Sequence, residues 1–261
     1  MAQFVIYGKD GEPIVDWRDW ERPATAGRRW KAGRSGIECA RAWLARTGPM
    51  VPAEIRQLLD GHPSTGGVEI VSGYPEHVTR LPPNFGSDGR NHDLDLVANL
   101  LGQPVTICVE ANADEKLGKR LGPYFDKMRS DDSSEIPSRI QALLELLWDA
   151  TAHPTSQPWS DLRYQLVAGA AGTVLEAERK GASTAVFVIH EFRTTATKAL
   201  KIQRNAEDYA AFVQALCGVP ADQVAPGVLY GPRVVTRRQH LSADVQLLVG
   251  KAVYDWKIAL E

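Results

Sequence analysis

Apolar positions along the chain fall into two spacings. Helical spacing appears first at Cys39, Ala40, Ala42, Trp43 and Leu44, opened by a cap at Ser35 and stopped by Gly48-Pro49. It returns at Ile55, Leu58 and Leu59, opened by Pro52 and stopped at Gly61. From Gly66 the period changes to two, so Val68 to Val71 and His77 to Leu81 read as short strands separated by Gly73-Tyr74-Pro75 and closed by Pro82-Pro83. Two β-rich runs follow on either side of Leu101-Gly102. Leu143, Leu144 and Leu147 then mark a helix over 136–150, and Leu166, Val167, Ala170 and Val174 an Ala/Gly-rich one over 162–180, with a polar loop between them. The unbroken run Ala185 to Ile189 has the length and β-branching of a strand buried on both faces. A helix over 206–216 and a strand or hairpin over 245–254 complete the pattern. Helices on both sides of strands, one of them fully buried, predict the α/β class: an α/β/α sandwich with a mixed sheet. Residues 1–65 form an N-terminal arm and helical elaboration on an α/β core over 66–261, the whole reading as one compact unit.

Composition narrows the class of function more than the fold. Hydrophobic residues make up 44% and charged residues 24% of 261, which excludes disorder and collagen. Thirty basic against thirty-two acidic side chains leave a net charge of −2, so nucleic acid would have to be met by a local patch. No apolar run approaches the roughly 18 residues of a membrane span, and the first residues lack a basic region followed by a long apolar one. The expected location is the cytoplasm, with no membrane partner; a homo-oligomer is compatible with the pattern. Cys39, Cys108 and Cys217 are far apart and read as reduced, packed thiols. Near the N-terminus Trp17, Trp20 and Trp30 interleave with Arg18, Arg22, Arg28, Arg29, Lys31 and Arg34, a mixture that suits either packing on the body or stacking on a single strand.

The acidic residues of HDLDLVANLLGQPVTICVEAN can be placed by counting. If Leu101-Gly102 is a two-residue hairpin loop, partners have numbers adding to 203, so Asp95 lies opposite Cys108 and Asp93 opposite Glu110. Leu94, Leu96, Ala98, Val105, Ile107, Val109 and Ala111 then share one face and the acids the other. Opposed like charges destabilise a hairpin. The pair therefore needs a bound cation, a shared proton or a basic neighbour. A divalent metal such as Mg²⁺ (or Mn²⁺) suits two carboxylates, and Asn112 points to the same face.

Asp93 followed by the strand ending Glu110-Ala111-Asn112 resembles the signature of the PD-(D/E)XK nuclease superfamily, an Asp and then Glu-x-Lys, with Asn112 at the lysine position. A closer resemblance, over roughly Pro75 to Phe192, is to uncharacterised bacterial proteins with this nuclease-like core. It is carried by PEHVTRLP (75–82), HDLDLVA (92–98), VEANADEKLG (109–118), LRYQLVAGAAGTVLEAER (162–179) and AVFVIHEF (185–192). The resemblance implies a restriction-endonuclease-like core with Asp93 and Glu110 as metal ligands on its second and third strands. It also implies a water attacking a phosphodiester, and a cation, supplied here by Lys116 or Lys119, in the role of the missing lysine. Gln165 and Arg163 open the helix that would lie beside the site, and Arg163 can meet a phosphate. By its own surroundings Arg163 can equally pair with Asp161, Glu176 or Glu178, and His190 reads as a structural histidine.

Motifs for nucleotide hydrolysis, serine hydrolysis, zincin proteolysis and dinucleotide redox are absent from the sequence. Two functions remain. The first is metal-dependent phosphodiester hydrolysis of DNA or RNA, weakened by loss of the motif lysine. The second is a non-catalytic module on the same fold that binds nucleic acid or protein. Two opposed acids favour the first; a neutral cleft without its lysine favours the second.

Overall fold

The computed structural model describes residues 4–21, 30, 32–45, 48–83, 89–195, 197–237 and 240–255. At its centre is a seven-stranded mixed sheet. Strand β1 (Val5–Ile6) lies parallel to β4 (Glu69–Thr79), which starts an antiparallel meander with β5 (Arg90–Leu100) and β6 (Gln103–Asn112). Next to β6 comes β7 (Thr184–Arg193), parallel to it; β9 (Val245–Asp255) is parallel to β7, and β8 (Leu229–Val235) closes the far edge antiparallel to β9. A separate ribbon pairs β2 (Leu44–Ala45) with β3 (Gly48–Pro49). Helices α1 (Ser35–Trp43) and α2 (Ala53–Asp60) bury their apolar sides in one core. Helices α3 (Leu121–Met128), α4 (Ile136–Leu147), α5 (Tyr164–Arg179) and α6 (Ala199–Cys217) form the second core on the opposite face. The architecture is an α/β/α sandwich.

The hairpin closes as counted. Pairing runs from Leu100 with Gln103 to Leu94 with Val109, and Leu101 (φ 52°) and Gly102 (φ 85°) supply the two left-handed residues of a tight turn whose twist matches the strands. Leu94, Leu96, Ala98, Val105, Ile107, Val109 and Ala111 all lie in the core under α1 and α2. Strand β7, between two parallel neighbours, is buried on both faces through Val186, Phe187, Val188 and Ile189. The small residues of α5 permit close approach: a Cβ added at Gly169 would stand 2.4 Å from the Phe187 ring.

Other expectations change. The two short strands expected around Gly73-Tyr74-Pro75 are one strand, β4. Its pairing with β1 ends at Gly73, so Pro75 lies where the missing N–H leaves no described ladder bond unmade. Helix α1 has Arg34, not Ser35, at its N-cap and no side-chain cap; the buried Glu38 carboxylate instead ties the preceding loop to the helix by accepting the Gly33 N–H at 2.7 Å. Helix α3 and strand β8 escape the periodicity because Gly122-Pro123 and Gly231-Pro232 stand inside them as turn signals.

Candidate functional site

Beyond the bulge at Val71, alternation along β4 and β5 breaks once more, and that break builds the site. Gly73 faces the core under α1 and α2, where an added Cβ would sit 3.0 to 3.3 Å from Leu96, Ile6 and Leu94. By period two, His77 and Thr79 would face the same way. Both instead reach Glu176 of α5, on the opposite face. In β5, likewise, Leu94 and Leu96 lie under α1 while Arg90 and His92 meet Gly172 of α5. Pairing is unshifted on either side, Pro75 with Leu94 and His77 with His92, so the strands turn over together. They do so at Glu76, which holds φ +50°, and at Asp93 opposite it. A non-glycine residue at positive φ is uncommon. Here it moves a row of polar side chains under α5.

At one end of this row stand the two acids singled out by the sequence, and the ladder does not pair them. The β5–β6 ladder stops at Leu94–Val109, one pair short of Asp93 and Glu110. Beyond it the Asp93 carboxylate accepts the Ala111 N–H at 2.8 Å, and buried Glu110 pairs with the Arg90 guanidinium. Arg90 also lies in the field of Asp93. The charge that two neighbouring acids require is thus supplied by a basic neighbour. Burial first, and then nearby Glu76, push the Asp93 carboxyl up to about 7. A dication placed beside Glu110 would face a fixed guanidinium, so these residues fit Mg²⁺ poorly as they stand.

The other end holds a constellation that the hairpin count does not reach. Ligand atoms of His77, Asp95 and Glu176 all lie within 4.8 Å of one another. Asp95 and Glu176 are buried and His77 is half-buried. Lys180, which closes α5, places its Nζ 2.6 Å from both Asp95 oxygens and 3.6 Å from Glu176. Around Glu176, His77 Nε2 stands 3.2 Å away, Arg179 Nε donates at 2.9 Å and Thr79 Oγ1 donates at 3.2 Å. Burial alone would raise the Glu176 carboxyl; bonds from His77 and Arg179, with the charges of His77 and Lys180, hold it far below the usual carboxylate range. Glu176 and Lys180 are four apart on one helix and so share a face. That spacing was visible in the sequence, but its pairing with Asp95 depends on where α5 crosses the sheet.

The remaining expected site residues gather around the start of α5 and are largely engaged. The Asn112 amide donates to the Glu115 carbonyl at 3.1 Å and accepts from Asn205 of α6 at 2.9 Å. Arg163 pairs with Asp208 of α6 at 2.8 Å, not with Asp161, Glu176 or Glu178. Gln165 lies against Gly118, whose φ of +81° lets the loop approach its backbone nitrogen. Lys116 is exposed, and the Lys119 ammonium sits 4.3 Å over the Tyr124 ring. His190 has the partner that the sequence did not identify, Glu54 at 2.8 Å. In the N-terminal arm Trp17 stacks on Trp30 and carries Arg18 and Arg41 over its ring, while Trp20 is buried. Arg22, Arg28, Arg29 and Lys31 lie outside the described residues.

A family model described as Domain of unknown function (DUF6946) matches residues 13–255, and the chain belongs to that family. No curated protein and no solved structure shows significant similarity to it. Among the described residues no helix is long and apolar enough to cross a membrane.

Proposed function

We propose that this domain hydrolyses phosphodiester bonds in nucleic acid, with its chemistry at His77, Asp95, Glu176 and Lys180 rather than at Asp93 and Glu110. The observation that carries the reading is the convergence of two buried carboxylates, an imidazole and an ammonium from the first two strands of the meander and the helix that crosses them. In this reading Lys180 takes the place of the cation absent at Asn112 and stabilises negative charge developing on a phosphate oxygen. His77, the most exposed of the four at 28%, is the side chain through which the cluster meets solvent. A divalent ion, when bound, supplies Lewis acidity and a low-pKa water to such a site.

The test is incubation of the full chain with single- and double-stranded DNA and RNA in Mg²⁺ or Mn²⁺. Cleavage is expected, falling by about 10² to 10³ in Lys180→Met if the ammonium is a preorganised charge-stabilising donor. Asp95→Asn is expected to abolish it. One observation favours a second reading, a binding module: each charge in the cluster already has a partner, so it also works as a latch between α5 and the sheet. Nucleic acid retained by every variant but cut by none supports that module.

A further inference from the structure

We infer that His77, Asp95 and Glu176 form a binding site for a first-row divalent cation, Mn²⁺ in preference to Mg²⁺, which His92 completes and from which Lys180 is displaced. The inference deepens the hydrolytic reading by naming its metal, but it is tested by binding and not by cleavage. Three observations carry it.

The three donor atoms lie within 4.8 Å of one another. Two ligands on one ion with bonds of about 2.1 Å stand at most about 4.2 Å apart, so a shift of roughly half an ångström closes the site. Next to it, His92 is fully buried and neither ring nitrogen has a hydrogen-bond partner. Buried polar atoms are rarely left in that state. His92 is the cross-strand neighbour of His77, and its Nε2 lies 2.9 Å from where a Cβ of Gly172 would stand. Gly172, Glu176 and Lys180 repeat every four residues along one face of α5. The orphaned imidazole therefore sits one helical turn from Glu176, beside the three convergent donors and not among them, so completing the site requires its ring to turn in. Two imidazoles and two carboxylates are a donor set for Mn²⁺ or its heavier neighbours, whereas Mg²⁺ prefers oxygen and water.

The third observation is the placement of Lys180. Its ammonium bridges both Asp95 oxygens at 2.6 Å, in the position of a cation. A lysine is a point charge on a flexible stem, and this one lies at the C-terminal cap of α5, so it can swing off Asp95 without unfolding the helix. Metal entry and lysine release are one exchange of charge at Asp95. Removing the lysine should therefore tighten metal binding while destabilising the metal-free protein.

The experiment titrates Mn²⁺ and, separately, Mg²⁺ into the full chain by calorimetry, with Mn²⁺ paramagnetic resonance and thermal unfolding in parallel. Wild type is expected to bind one Mn²⁺ about tenfold more tightly than Mg²⁺. Lys180→Met should melt lower without metal, bind Mn²⁺ about tenfold more tightly, as expected when a competing cation is removed, and regain its melting temperature in Mn²⁺. Lys180→Met combined with Asp95→Asn should show no rescue, and His92→Gln and His77→Gln should each weaken Mn²⁺ binding. Failure of both wild type and Lys180→Met to bind Mn²⁺ stoichiometrically overturns the site. Binding indifferent to Asp95 and His77 also overturns it, and indifference to His92→Gln removes that residue from it. Stoichiometric Mn²⁺ binding without cleavage keeps the metal site and defeats the hydrolytic reading alone.

Discussion

Two acid pairs stand at the two ends of the polar row, and the cations buried with them set them apart. At one end Glu110 meets the Arg90 guanidinium, with Asp93 held on a backbone N–H. At the other Asp95 meets the Lys180 ammonium, and Glu176 meets Lys180, His77 and the guanidinium of largely exposed Arg179. A guanidinium is planar, permanently charged and matched to a carboxylate, while an ammonium is a mobile point charge. Arg90 on Glu110 is therefore a buried lock, and Lys180 on Asp95 an exchangeable contact. Like inventories of charge thus differ in how readily the cation can be exchanged.

The largest effect expected of breaking this contrast is at Arg90. Arg90→Met leaves Glu110 buried without its partner and should cost about 3–5 kcal/mol in urea unfolding, with no rescue by Mn²⁺. Rescue there comparable to that of Lys180→Met would show the two ends to be equivalent.

The pH response separates them next, with opposite signs. The Asp93 carboxyl is raised to about 7, so between the usual carboxyl value of about 4 and pH 7 the folded chain holds a proton that the unfolded chain has released. That contribution favours folding on the acid side and is lost as pH rises through 7. The Glu176 carboxyl is lowered, so its contribution is present above about 4.3, the usual glutamate value, and is lost as pH falls below it. In unfolding measured from pH 3 to 8, Asp93→Asn should flatten the decline toward neutrality and Glu176→Gln the decline into acid. Identical slopes for both variants would remove the distinction.

Asn112→Lys restores the nuclease-like motif on paper. In the fold it replaces an amide held by Asn205 and the Glu115 carbonyl, leaving buried partners unmet at a cost of about 1–3 kcal/mol. No gain in cleavage is expected, and a gain would return the chemistry to Glu110. The smallest effect is expected at exposed Lys116, where Lys116→Ala should change stability by less than about 0.5 kcal/mol and leave any cleavage unaltered.

The sheet was largely legible. Hairpin register followed from Leu101-Gly102, and the buried centre from Ala185 to Ile189, because period and turn chemistry are local. Strand β4 was divided in two because Gly73-Tyr74-Pro75 reads as a turn wherever a strand is assumed to have partners on both sides. The site was legible only in its residue types. Counting carried the acidic face one pair too far, since it assumed that alternation continues through Glu76 and Asp93.

By itself, then, the order of residues determined an α/β/α sandwich, the β5–β6 register and which hairpin face is apolar, all consequences of spacing along the chain. Only the tertiary structure decided which acids share a site. Arg90, His77 and His92 reach α5 because two neighbouring strands turn over at one level, and Lys180 reaches Asp95, 85 residues away in sequence, because α5 crosses the sheet there. Contacts of that kind depend on how packed elements cross, and side-chain period carries no record of it.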